Sequence, residues 1–329
     1  MISAVHGYLA DRKGHMARQV RRLVFMLLAL LYCIPAYAAE RLVVPFDVNS
    51  YGQMVVQLRI NGTTQATGVV DTAATHAMID LATANAAGVP MPGDAKINVL
   101  GLEGAEIFPL VRVDSLAAGN VRMGQVNAAL NRRIEVMGVH NIVPANALAG
   151  DVIDFDFDAG RILVYDGRPD TSTTLTPSRL PMRQVNGLWF AEVKLNGKTG
   201  LALIDTGSSI SYVNSRFADD AGAKPNEEKT RELLGITGEG VAIRVATARR
   251  FSLGRHRVLG PDLLVADPAI FAHLGLADEP VMVLGLDYLS IFRVQLDRRE
   301  QRLVLSSQGA KRGMSGIRLN SGGSRLRTN

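Results

Sequence analysis

"ALIDTGSSISYV", Ala202 to Val213, carries an apolar strand into an aspartate and then bends it with small, polar residues. An ionisable group at the end of an apolar run is unfavourable unless something solvates, pairs or uses it. Upstream, "TGVVDTAATHAMI", Thr67 to Ile79, has the same form. Working outward from each aspartate, the likeness persists. "VVQLRINGTTQATGVVD" ends at Asp71 and "FAEVKLNGKTGLALID" ends at Asp205. Each reads as an alternating strand, an Asn-Gly hairpin turn (Asn61-Gly62 and Asn196-Gly197) and a second strand ending in Asp. Next come "VLGLEG" from Val99 and "LLGITG" from Leu233, with Leu100 and Leu234 each 29 residues beyond its aspartate. Further on, "IVPANALAGDVIDFDFDAGRILV" from Ile142 aligns without a gap to "VLGLDYLSIFRVQLDRREQRLVL" from Val283. Three blocks in one order at near-equal spacing signify an internal duplication rather than two unrelated β domains.

Short alternating runs, β-branched residues and Gly turns predict an all-β protein. Short helices are expected over 81–87, 215–221 and 268–275. The Pro/Thr/Ser-rich stretch Asp166 to Pro181 reads as a linker. The chain then divides into a leader (1–38), a first lobe (39–166), a linker (167–181), a second lobe (182–306) and a basic tail (307–329). A length of 329 residues suits two lobes, and 47% hydrophobic with 20% charged residues suits a packed core.

Asp-Thr-Gly-Ser-Ser after an apolar strand resembles the active-site signature of aspartic proteases. "VLGLDYL" from Val283 resembles the hydrophobic-hydrophobic-Gly segment that packs beside the catalytic loop in that fold. The resemblance runs from about Val43 to Leu305. It implies a bilobal acid-protease fold, two tandem retropepsin-like β-barrel lobes fused in one chain as in pepsins. It also implies an aspartic endopeptidase in which Asp71 and Asp205 activate a water between them, with no metal and no cofactor. In this class of enzyme two adjacent carboxylates share a proton because both cannot ionise.

By the same resemblance, Thr72 and Thr206 buttress the two loops through cross-lobe hydrogen bonds. Ala73 and Gly207 occupy the next loop position, where glycine admits close backbone approach. The Ser208 hydroxyl is expected to bond Asp205. Gly101, Leu102 and Gly104, with Gly235, Ile236 and Gly238, are expected in two flaps over an extended peptide or unfolded protein segment. The first lobe departs from the family pattern. Ala73 stands where the family has Gly, Ala74 where pepsins often have Ser, and Pro144 where the second lobe has Gly285. Neither flap carries the Tyr typical of pepsins. The alternative is a catalytically inactive protein of this fold, binding peptides or envelope components in the same cleft; a structural envelope protein is a third.

Other features read as structural. "DVIDFDFDAG", Asp151 to Gly160, places acids on one face of a solvated strand; calcium would need six or more converging oxygens. His76 reads as a rim residue and Trp189, the only tryptophan, as core. "RRFSLGRHR", Arg249 to Arg257, alternates as a strand with a solvated face. The net charge of +5 sits in the termini: residues 1–38 carry +4 and residues 307–329 carry +5, leaving the body at −4. The basic balance is thus no sign of nucleic-acid binding.

Three arginines (Arg18, Arg21, Arg22), the 12-residue apolar run Leu23 to Ile34 and Ala36-Tyr37-Ala38 have the order of a secretory signal peptide. Met16 is the more ordinary start. The run is too short to span a bilayer, so no membrane span is expected after cleavage. Cys33, the only cysteine, lies in that leader, which excludes disulfides and a cysteine nucleophile from the mature chain. A monomer exported to a bacterial periplasm or extracellular space is expected. Mass spectrometry of the exported protein should find Ala39 as its first residue; an intact leader in the cytoplasmic fraction would refute the cleavage site.

Overall fold

A computed structural model describes residues 40–307, apart from 102–103, 133–137, 173–176, 227–230 and 235–239. The expected leader and the tail beyond Ser307 lie outside the described residues. The first half contains β1 (Leu42–Val48), β2 (Met54–Ile60), β3 (Thr64–Asp71), β4 (Ala77–Asp80), helix α1 (Leu81–Ala86), β5 (Lys96–Gly101), β6 (Gly104–Val113), β7 (Leu116–Ala118), β8 (Val121–Met123), β9 (Val126–Asn131), β10 (Asn141–Pro144), β11 (Val152–Asp156) and β12 (Arg161–Tyr165). The second half repeats the order with β13 (Ser178–Val185), β14 (Leu188–Leu195), β15 (Lys198–Ile204), β16 (Tyr212–Val213), α2 (Ser215–Asp220), β17 (Lys224–Pro225), β18 (Arg231–Leu234), β19 (Gly240–Thr247), β20 (Arg250–Leu253), β21 (His256–Leu259), β22 (Asp262–Val265), α3 (Ala269–His273), β23 (Val281–Leu284), α4 (Leu286–Leu289), β24 (Phe292–Asp297) and β25 (Arg302–Ser307). No helix among the described residues is long and apolar enough to cross a membrane.

Each half is built around its Asn-Gly hairpin, β2–β3 and β14–β15. Asn61 and Asn196 both take a φ of 49°, a left-handed conformation that asparagine tolerates better than most side chains. Both also bond beyond the turn. The Asn61 amide donates to the Ala87 carbonyl at the end of α1, and its oxygen accepts the Asp114 N–H. The Asn196 amide donates to the Ala221 carbonyl at the end of α2, and its oxygen accepts the Arg249 N–H. One residue type thus makes the turn and ties it to its lobe. The helices start alike: the side chains of Asp80 and Asn214 accept the N–H of Thr83 and Phe217, satisfying a donor that helix geometry leaves free.

The strands that end at the two aspartates gain parallel partners. β10 runs beside β3 with Pro144 opposite Asp71, and β23 runs beside β15 with Leu284 opposite Ile204. A six-stranded antiparallel sheet, in the order β1–β12–β11–β24–β25–β13, takes three strands from each half. Its outer strands change partner part-way. β1 pairs with β12 up to Pro45 and with β2 from Phe46; β13 pairs with β25 up to Pro181 and with β14 from Met182. Proline lacks an N–H for the ladder and suits a point where pairing is handed over. Ser178 to Pro181, expected in the linker, therefore form the start of β13 and the sheet edge.

The acidic strand also differs from its reading as a solvated face. Asp154 on β11 is fully buried. Arg293 of β24 donates to it twice, from Nε at 2.9 Å and Nη2 at 2.6 Å. The Tyr165 hydroxyl donates to Asp154 and accepts the Asp170 N–H, while Gln295 donates to the Asp170 carbonyl. The segment around Asp170 covers this face of the sheet, which is what buries Asp154. Asp156 and Asp297 do behave alike: each accepts an N–H three residues on, from Ala159 and Glu300, in a tight turn. Trp189 lies in the core with its indole N–H donated to Asn146 at 3.1 Å.

Removing one member of a buried, hydrogen-bonded ion pair leaves the other uncompensated. Asp154→Ala should destabilise the protein by about 3 kcal/mol, and a double replacement Asp154→Leu/Arg293→Met should recover most of that loss. Urea unfolding of both variants checks this; equal losses would show that the Asp154–Arg293 pair is not what the site depends on.

Candidate active site

The strand endings bring two loops together. β3 delivers Asp71 into a loop through Thr75, and β15 delivers Asp205 into a loop through Ile210. The threonines behind the aspartates interlock. The Thr72 hydroxyl donates to the Ile204 carbonyl at 2.6 Å and accepts the Thr206 N–H at 3.0 Å. The Thr206 hydroxyl donates to the Val70 carbonyl at 2.8 Å and accepts the Thr72 N–H at 3.1 Å. Both threonines are buried, at 1% and 0% exposure, so these bonds form away from competing water.

The carboxylates meet in front of this lock. Asp71 Oδ1 accepts the Ala73 N–H at 2.7 Å. Asp205 Oδ1 accepts the N–H groups of Gly207 and Ser208, both at 2.9 Å. Gly207 lies directly against the other carboxylate: a Cβ there would sit 2.5 Å from Asp71 Oδ2. Only glycine fits this approach. A family model described as aspartyl protease matches residues 56–143 and again residues 191–288, more than half of the chain.

The chain belongs to the aspartyl protease family. Among solved structures it is similar to an aspartic proteinase from Irpex lacteus, with a TM-score of 0.53 and 12% sequence identity over 84% of this chain and all of that one. That likeness concerns the fold, a bilobal acid-protease architecture of two tandem retropepsin-like lobes. A search of the curated proteins gives no match.

In this member of the aspartyl protease family both aspartates hold protons more tightly than ordinary carboxylates. Burial raises the Asp71 carboxyl to about 6 against the lowering effect of the Ala73, Ala74 and Gly207 amides. Burial, and then repulsion from Asp71, raises Asp205 to about 8. Between these values the pair carries one proton, titrating as a unit.

The structure brings some of the expected site residues together and not others. Thr72, Thr206, Gly207 and Ala73 surround the dyad as described. The Ser208 hydroxyl does not bond Asp205; it donates to the Ile210 carbonyl at 2.8 Å, and the backbone N–H of Ser208 faces the carboxylate instead. The loop curls back on itself and the hydroxyl satisfies that curl. Ala73 is not adrift in the cleft. It packs, with Leu100, against an apolar cluster of the second half that includes Phe190, Tyr212 and Phe271. Gly101 and Gly104 pair across the tip of the β5–β6 hairpin. This hairpin reaches the second half, since a Cβ on Gly104 would lie 3.0 Å from the His273 ring on α3. Leu102, Gly235, Ile236 and Gly238 lie outside the described residues. His76 is half-buried at the loop and bonds Thr75 through Nδ1.

Sequence reasoning missed Asp287 and Ser211. The Ser211 hydroxyl donates to Asp287 at 2.5 Å and the Ser211 N–H at 3.1 Å. Burial raises the Asp287 carboxyl to about 6, partly offset by these donors. The signal was present in the aligned third block, where Asp287 faces Asn146 of the first half. Among the described residues no group of three or more His, Cys, Asp or Glu is placed to hold a metal ion.

The raised carboxyls have a consequence for stability. An acid protonated in the folded state but ionised in the unfolded one favours unfolding as pH rises from its ordinary value to its folded one. For Asp205 that interval runs from 3.8 to about 8. The advantage in Tm of Asp205→Asn over wild type should be nil at low pH, grow across this interval and level off above it. A Tm difference that is flat with pH would show that Asp205 is not held protonated.

Proposed function

We propose that this protein is an exported aspartic endopeptidase that hydrolyses extended peptides or unfolded protein segments. The observation that carries the reading is the pair of interacting carboxylates, Asp205 buried and Asp71 half-buried, brought together by loops that the Thr72–Thr206 lock joins. Such proximity raises the energy of the doubly ionised state, which a site that only bound peptides would have no reason to maintain. Ionised Asp71 takes a proton from a water lying between the carboxyls as the water oxygen attacks the scissile carbonyl carbon. Protonated Asp205 gives its proton to the carbonyl oxygen, forming a neutral gem-diol. Asp71 then gives its proton to the amide nitrogen while ionised Asp205 takes one gem-diol hydroxyl proton, which breaks the C–N bond, releases amine and acid and restores the singly protonated pair. Two carboxyls and water complete this cycle without a cofactor, and one chain supplies both halves. The β5–β6 hairpin would offer main-chain bonding to an extended substrate. The position of the Ala73 methyl, packed against the second half, supports an active site adapted to alanine rather than obstructed by it.

The test is cleavage of a diverse peptide library by mature protein. Asp71→Asn and Asp205→Asn should each lower kcat on the order of 10²- to 10⁴-fold with KM little changed. The kcat/KM profile should be bell-shaped, falling on the acid side as the second proton binds and on the alkaline side as the last one leaves. Burial of both groups puts its crest between about 6 and about 8. Ala73→Gly should leave turnover level or reduce it. Identical background cleavage by wild type and both Asn variants would reject the protease reading, and retained peptide binding would then favour the inactive alternative.

A further inference from the structure

The region behind Asp205 contains a buried relay that the two-carboxylate mechanism does not use. Ser211 is buried, and its hydroxyl oxygen donates to Asp287 at 2.5 Å while accepting the Gly285 N–H at 2.7 Å. The segment so held grips the catalytic loop at two points. The Asp205 N–H donates to the Leu284 carbonyl at 3.0 Å, and the Leu286 N–H donates to the Ser208 carbonyl at 2.9 Å. Ser208 and Gly207 in turn present their N–H groups to Asp205 Oδ1. The fit leaves little slack, because a Cβ on Gly285 would come within 2.5 Å of the Ile210 carbonyl oxygen.

The first half has lost every part of this relay. Ala77 stands in the place of Ser211 and has no hydroxyl. Pro144 stands in the place of Gly285 and has no N–H. Asn146 stands in the place of Asp287, and its side chain bonds the Gly187 carbonyl and the Trp189 indole instead. If the relay served only to stabilise a lobe, the duplicated lobe would need it equally.

We propose that Asp287, acting through Ser211, is a positioning residue that fixes the Gly207 and Ser208 amides against Asp205. The inference rests on the proteolytic reading of the dyad and adds a residue to it. The Ser211 hydroxyl is oriented by Asp287, so its lone pairs face Gly285 and the loop is pinned in the arrangement that serves Asp205. Asp71 is held by the amides of Ala73, Ala74 and Gly207 and by the threonine lock, with no counterpart of the Ser211–Asp287 pair behind it.

The experiment combines steady-state kinetics, thermal denaturation and amide hydrogen exchange on the full mature chain. Ser211→Ala and Asp287→Ala should each lower kcat on the order of 10- to 100-fold, since small misplacements of catalytic groups are expensive. KM should change little, because the substrate cleft is intact. The double variant should be no worse than either single one, as expected for groups acting as a unit. Ser211→Thr, which keeps the hydroxyl, should recover most of the loss. Exchange at the Gly207 and Ser208 amides should quicken in Ser211→Ala below its Tm. Wild-type kcat in folded Ser211→Ala, a loss confined to KM, or unchanged exchange at both amides would overturn the proposal. Should Asp287→Ala fail to fold, Ser211→Ala and Ser211→Thr decide the matter. Should wild type cleave nothing, the proteolytic reading fails by itself, while amide exchange still tests the relay.

Discussion

Two threonine hydroxyls hold this molecule's chemistry in place. Each is at once donor and acceptor, and each spans from one half of the chain to the other. Thr72 reaches Ile204 and Thr206 reaches Val70, so the residues flanking both aspartates are locked crosswise. Valine has the shape but not the bonds, and serine has the bonds but less stiffness about χ1. Two carboxyls that repel would otherwise drift apart and relax towards ordinary acidity. Their raised proton affinity comes first from burial and, for Asp205, then from Asp71; the lock keeps both causes in place, and Gly207 lies so close to Asp71 that a Cβ would not fit.

The duplication kept the frame and let the two loops diverge. At position 207 a methyl would strike Asp71, so only glycine is possible. At the aligned position 73 the methyl turns into an apolar cluster, so alanine is accommodated. The same holds behind the loops. Gly285 is compressed against the Ile210 and Ser208 carbonyls, whereas Pro144 extends β10 beside Asp71. Equivalent positions in sequence meet different neighbours, and the neighbours set what each may be.

Much of this was legible in the sequence because the signals were local and repeated. The Asn-Gly turns, the apolar runs into Asp71 and Asp205, and the three short helices all appear where periodicity and turn chemistry put them. The readings that failed depended on neighbours remote in sequence. Asp154 alternates like a surface acid; the Asp170 segment covers it, and Arg293, on the partner strand from the other half, supplies the charge that makes that burial tolerable. The Ser208 hydroxyl has a choice of acceptors, and the curl of its own loop decides for Ile210. Ser178 to Pro181 look like linker because Pro/Thr/Ser composition masks a strand. The matching prolines, Pro45 and Pro181, each at a partner switch, were the missed cue. Asp287 was visible but unremarkable until Ser211 was seen to face it.

The shared six-stranded sheet also constrains how the chain can be made. Its central ladder joins β11 to β24, so β11, paired with β12 on one side, must wait for nearly the whole second half before its other side is paired. A nascent first half carries β11 with one bare edge, and bare edges invite pairing with any available strand. Contacts of such long sequence separation also slow folding. The inward-pointing charge of Asp154 is well placed to discourage wrong partners during that interval: a strand without an arginine at the matching register leaves a buried carboxylate unpaired. The ion pair, which adds little net stability, would then act mainly on which strands may pair.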